Sequence, residues 1–208
     1  MPEQPLTTLE RIHQAAIAEF REKGFAAASL RRIVASLGMT TGAFYGYYPS
    51  KEALYEALVG PHYDYLLGRF QRAQRSFAEL PRELQPAALA DCSRDCMFDM
   101  LHYAYDHLEE CQLLLCGSEG TRFAGLVDRM VEIEVTATHD YMAVLGELGR
   151  PVPHLDPRLE HILITGMFHT FFELILHAMP LEEAETYLRE MRAFYTAGWM
   201  KIMGQPAP

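Results

Sequence analysis

Between Ser29 and Pro49 the chain permits little besides two short helices and a turn between them. Ser29 is a good N-cap, "LRRIVASL" follows with Leu30, Ile33 and Leu37 at inward positions, and Gly38 ends the run. Thr40 or Thr41 opens the next segment, which stops before Pro49, because proline lacks an N–H and disfavours a helical residue before it. Phe44 and Tyr48 recur at helical spacing and face inward. At about 100° per residue, Gly42 and Gly46 then fall opposite Phe44, with Ala43 and Tyr45 on the flanks. Two short helices joined by a glycine turn are the ingredients of a helix-turn-helix.

The flanking segments have the same period. Thr7 with Glu10 forms a capping box for a first helix whose buried stripe is Ile12, Ala16 and Phe20, stopped at Gly24 with Phe25 folding back. Ser50 caps a fourth helix, which Gly60-Pro61 is expected to break or kink. Longer helical stretches follow at about 86–106, 107–116, 120–148, 156–178 and 181–203, with "GSEG" expected as a flexible joint and "GRPVPHLDP" as a separator. No run shows strand alternation, so the expected fold class is all-α: an N-terminal three-helix domain containing the helix-turn-helix plus a larger C-terminal helical domain.

A helix face lined by Gly42, Ala43 and Gly46 lets a backbone approach something large very closely, and a DNA major groove is such an object. Tyr45 and Tyr47 can donate hydroxyl hydrogen bonds to phosphate oxygens. Lys51, in the first turn of the fourth helix, and Arg31 and Arg32, near the start of the second, are placed where free backbone amides already favour an anion. Thr40 and Thr41 can reach base edges or backbone.

Charge is unevenly placed along the 208 residues. The formal net charge is −10, yet residues 1–56 hold six acids and six bases and sum to zero, so the whole excess lies in 57–208. This asymmetry suggests two parts with different partners, residues 1–56 and 57–208. The N-terminus lacks the apolar core of a signal peptide, and the longest apolar run, around residues 162–176, is interrupted by Thr165, Gly166, His169, Thr170 and Glu173. The expectation is a cytoplasmic protein without a membrane span. The four cysteines form no CxxC pair, and reduced thiols are the plainer account. His169, Glu173 and His177 drift too far around a helix for one metal site and are expected to hydrogen-bond in the interior or at an interface. The one E-x-x-H, Glu10 to His13, falls short of the two a di-iron bundle requires. No metal, cofactor or catalytic group is expected.

Residues 7–58, above all "SLRRIVASLGMTTGAFYGYYPSKEALYEAL", resemble the N-terminal domain of the TetR/AcrR family of bacterial transcriptional regulators. The carrying features are the G-F after the first helix, the L-G of the turn, the F-Y before the last aromatics and the S-K-E-A-L opening the fourth helix. The resemblance implies a homodimer that reads a double-stranded DNA operator, usually as a repressor, with residues 1–56 as the DNA-binding domain, 57–208 as the ligand-binding and dimerisation domain, and DNA contacts by Ser29, Thr40, Thr41, Gly42, Tyr45, Tyr47 and Lys51. It departs from the family at Thr41 and Tyr47, where lysine and histidine are frequent, and both departures remove positive charge.

In the C-terminal part, "DPRLEHILITGMFHTFFELILHAM" is apolar almost all round, so a single neighbour cannot bury it. A four-helix bundle with the last two helices of a second chain would bury it, with Phe172 and Leu176 in the seam. Met97, Met100, Tyr103, Phe123 and Phe168 are the expected lining of an effector cavity with a few polar anchors, among them Arg122, Glu134 and His139. The effector is an unknown apolar small molecule, and the acidic balance of the domain points to a cationic one. The rival reading is an all-α carrier or enzyme using that cavity without DNA.

Overall fold

The computed structural model describes residues 5–152 and 154–204. The ends of the two expected domains, 1–4 and 205–208, and Pro153 of the expected separator lie outside the described residues. Among the described residues the chain is all helical: α1 (Thr8–Ala27), α2 (Leu30–Ser36), α3 (Thr41–Tyr45), α4 (Lys51–Ala78), α5 (Gln85–Asp106), α6 (Leu108–Gly117), α7 (Leu126–Glu147), α8 (Pro157–Leu176) and α9 (Leu181–Ile202).

Most helix ends follow from local chemistry. Thr7 and Glu10 make both bonds of the capping box. Gly24 takes φ 70°, ψ 165°, conformations a residue with a Cβ rarely adopts, and this turns the chain so that Phe25 stacks on Phe20. Ser29, Thr40, Ser50 and Asp156 each accept backbone N–H groups at a helix start.

The chain departs from the expected helix bounds at two places. α4 does not break at Gly60-Pro61 but continues as helix to Ala78. A proline inside a helix costs about 3 kcal/mol. Burial of Leu58 and Val59 on one side of it and of His62 and Leu66 on the other opposes that cost. Residues 120–125 are also not helical: Gly120 and Gly125 take positive φ, and α7 begins only after Gly125.

By its contacts the chain forms two units. One comprises residues up to Asp64 together with His107–Ala124; the other comprises Tyr65–Asp106 and the residues from Gly125 on. The expected boundary after residue 56 thus falls inside α4, and α6 joins the unit containing the short helices.

In the first unit α6 lies along α1, and the Arg21 guanidinium donates to Glu109 and Gln112 at 3.0 and 3.1 Å. Tyr55 from α4 fills the space between them, edge-on to Phe20 and Phe25. Its hydroxyl donates to the Leu113 carbonyl at 3.2 Å and lies 2.9 Å from Ser118 Oγ. Ser118 in turn donates to the Leu114 carbonyl, so "GSEG" begins as a buried, hydrogen-bonded turn rather than a flexible joint.

The second unit packs α7 on α8 and α5 on α9. By length and composition α8 could cross a membrane, with 20 residues and an 18-residue stretch of mean hydropathy 1.3, contrary to the expectation from its interruptions. One face of it, including Ile164, Phe168, Phe171 and Ile175, is buried in the core of this unit.

Replacing Tyr55 with Phe keeps the ring and removes the hydroxyl's bonds to the Leu113 carbonyl and to Ser118 Oγ. Chemical denaturation should show a loss of about 1–2 kcal/mol.

Candidate nucleic-acid interface and ligand cavity

In the first unit Gly38, at φ 65°, turns the chain from α2 into α3. Phe44 is completely buried and anchors α3. Tyr48 packs beside it, and its hydroxyl lies 2.6 Å from His13 Nε2 on α1. Arg11 of α1 donates to the carbonyl of Leu37, so α1 clamps both ends of the turn. Neither contact is visible in the local pattern, because each joins residues 26 or more apart. Burial holds the His13 imidazole below its ordinary pKa despite Glu110, which favours the charged ring.

The outer side of α3 is bare. Thr40, Thr41, Gly42, Ala43, Tyr45 and Tyr47 are all exposed, the two tyrosines by 53% and 46%. A Cβ added at Gly42 would meet nothing nearer than Thr40 Oγ1 at 4.0 Å, so nothing within the chain requires glycine there. Gly46 differs, since a Cβ there would press on the Ala43 carbonyl at 3.3 Å.

The charged candidates divide. Arg31 is exposed. Arg32 is tied to the buried Glu19 at 3.3 Å and reaches Glu22 at 4.0 Å. Ser29 is half-buried; it caps α2 through its hydroxyl and donates its N–H to Glu19. Lys51 is turned inward. Its ammonium donates to the carbonyls of Phe25, Ala26 and Ala28 at 2.7, 3.3 and 3.2 Å and sits 4.5 Å above the Phe25 ring. The kink at Gly24 leaves carbonyls at the end of α1 without helical partners, and an ammonium has three donors to offer them. The expected phosphate contact at Lys51 would have to displace these bonds.

The second unit contains a cavity of about 390 Å³. Phe70, Phe77, Met97, Met100, Phe168 and Trp199 supply much of its apolar wall. Three of the five expected ligand residues, Met97, Met100 and Phe168, are therefore brought together. Tyr103 is not among the lining, because it stacks on Tyr65 at 3.5 Å. Phe123 belongs to the first unit, between Tyr63 and the Arg122 guanidinium. Of the expected anchors Glu134 alone lines the cavity; Arg122 pairs with Glu56, and His139 with Glu160. Glu134 accepts from Gln74 Nε2 at 2.5 Å, and burial pushes its carboxyl up to about 7. Arg192 on α9 is a lining residue that the sequence did not single out.

The expected dimer residues face mostly inward. Phe172 is only 2% exposed and packs within its own unit, and Leu176 is half-buried. Phe194 and Ile162 are the most open large apolar side chains of α9 and α8, at 73% and 63%. His169, Glu173 and His177 are exposed rather than interior, with His177 paired to Glu173 at 3.1 Å.

Residues 12–58 match the family model for bacterial regulatory proteins of the tetR family. The chain is 32% identical over 71 residues to the HTH-type transcriptional repressor KstR2 of Mycolicibacterium smegmatis, which takes in 34% of this chain and 35% of that protein. It is 45% identical over 59 residues to the uncharacterized HTH-type transcriptional regulator YvdT of Bacillus subtilis, across 28% and 30% of the two chains. These matches thus span about a third of each relative. Likeness in fold extends much further. Salmonella enterica GusR aligns over 98% of both chains with a TM-score of 0.54 and 18% identity. The TetR family transcriptional regulator PfmR of Thermus thermophilus aligns over 94% of this chain and 98% of its own, with a TM-score of 0.52 and 18% identity.

Glu134 gives the second unit a pH signature. Its folded pKa lies above the ordinary 4.5, so its stabilising contribution is complete below about pH 4.5 and is lost as the pH rises through about 7. Glu134→Gln removes the titration. Urea denaturation should show the variant more stable than the wild type by about 1–3 kcal/mol near pH 8, with the difference shrinking near pH 5.

Proposed function

We propose that this chain, a tetR-family protein by its N-terminal domain, is a transcriptional regulator that binds a palindromic DNA operator as a homodimer and is released by a small molecule. A repressor is the reading favoured by the name of the Mycolicibacterium relative. The site of action is the cytoplasm, where the DNA is. In this reading the short-helix domain reads DNA and the larger helical domain carries the effector cavity and the dimer contacts.

The observation that carries the DNA reading is Gly42. An exposed glycine inside a helix costs about 0.5–1 kcal/mol relative to alanine and here relieves no internal contact. Its use is external: it lets the backbone of α3 approach a groove floor, while the exposed Thr40, Thr41, Tyr45 and Tyr47 around it supply hydroxyls for phosphates and base edges. Arg31 adds an exposed positive charge at the start of α2.

For assembly, the open side of α8 and α9 presents Leu159, Ile162, Tyr187 and Phe194. Apolar side chains exposed together on two neighbouring helices mark a contact surface. A two-fold axis through that face would pair it with its own copy. An effector alters operator occupancy only if it has different affinities for the DNA-competent and DNA-incompetent dimers.

Two experiments test this reading. Gly42→Ala should raise stability by about 0.5–1 kcal/mol in chemical denaturation, while a gel shift against the DNA upstream of its own gene loses affinity at least tenfold. Unchanged operator affinity would place the reading surface elsewhere. For the dimer, Ile162→Glu and Phe194→Glu each put an unpaired charge in the seam. Sedimentation should show monomer for both, whereas a persisting dimer would move the interface.

A further inference from the structure

The cavity of the second unit has an uneven polar inventory. Its walls are largely apolar, and groups able to carry charge, among them Glu134 from α7 and Arg192 from α9, line it from different helices. Among the described residues neither forms an ion pair. Glu134 is provided for: Gln74 donates to it, and burial favours its uncharged form. Arg192 is not. One Nη2 hydrogen goes to the Ala90 carbonyl at 2.7 Å, while its Nε–H is buried without any acceptor.

The charges outside do little to compensate. Asp91 and Asp95 favour the Arg192 cation, but both are bonded to Arg94, which opposes it. A guanidinium stays protonated in a protein, so this one remains a cation with an unmade hydrogen bond beside an apolar cavity. The group that completes it is an oxygen acceptor carrying negative charge, and a carboxylate matches the guanidinium fork best. Arg150 adds a second cation to the lining. When protonated, Glu134 adds an O–H donor, which an incoming cation could not use. The acidic balance of residues 57–208 is thus not reproduced inside the cavity, where the lining favours an anion over the cation expected from composition.

We infer that the cavity takes an apolar carboxylic acid, whose carboxylate is received by Arg192 while its hydrocarbon body lies among Phe70, Met97, Met100 and Phe168. The inference rests on the regulator reading only for the role of this acid as effector; its binding does not depend on DNA.

The single tryptophan of the chain, Trp199, lines the same cavity and serves as the reporter. Decanoate, decanol and decyltrimethylammonium differ only at the head, and each is titrated against the full chain without DNA. Decanoate should shift Trp199 emission saturably, with at least tenfold tighter binding than the other two. Arg192→Met retains the hydrocarbon stem and should abolish that preference while leaving decanol binding unchanged. A preference for the ammonium, equal binding of all three, or no saturable binding overturns the proposal, as does an Arg192→Met variant that still prefers decanoate. Should that variant fail to fold, the wild-type ranking of the three heads decides alone. A parallel gel shift with decanoate keeps the two readings apart: acid binding without any DNA binding sinks the regulator and leaves the ligand class standing.

Discussion

One phenol holds the first unit in register. The Tyr55 ring is edge-on to Phe20 and Phe25 and tilted against Phe123, and its hydroxyl, pushed up to about 12 by burial, meets a carbonyl and a hydroxyl at the end of α6. A ring of that size with a polar tip satisfies an apolar packing demand and a hydrogen-bonding demand at one point. Through it α4 fixes α6, and α6 lies along α1. α1 in turn reaches the short helices through Arg11 to Leu37 and His13 to Tyr48. The position of α3 therefore depends on a chain of contacts that begins well away from it.

That dependence matters because α3 is only five residues long. A helix so short has no stability of its own in water. Phe44 burial, the Thr40 cap and the Gly38 turn hold its inner side, which frees the outer side from any packing duty. Smoothness and exposed hydroxyls can then be chosen for what approaches from outside.

The features legible in the sequence are those decided within a few residues. The capping box at Thr7, the caps at Ser29, Thr40, Ser50 and Asp156 and the positive φ at Gly24 and Gly38 each follow from one residue and its near neighbours. The helix-turn-helix was legible for that reason. The placements of Lys51, Ser118, Phe123 and Phe172 have a different origin. Lys51 serves carbonyls 23–26 residues away and Ser118 answers a hydroxyl 63 away, so neither partner is set by spacing along a helix. Phe172 carries no mark that tells an inward face of α8 from an outward one when both faces are apolar. In the cavity, methionines and phenylalanines could be nominated by type, but Arg192 becomes distinctive only through an acceptor that is missing in three dimensions.

The membership of α6 in the first unit has a consequence for synthesis. Arg21 must find Glu109, 88 residues later, and Tyr55 must find Ser118, 63 later. A ribosome adding about 5–20 residues per second needs roughly 4–18 s to cover the first of those gaps. During that interval α1 to α4 exist without the helix that closes over α1, and Tyr55 lacks the partners it finds at the end of α6. Although it comes first in the chain, this unit is completed only after Tyr65–Asp106 of the other has already left the ribosome. Its early helices must wait in a half-covered state, a window in which a chaperone or a neighbouring nascent chain meets the aromatic cluster before α6 does.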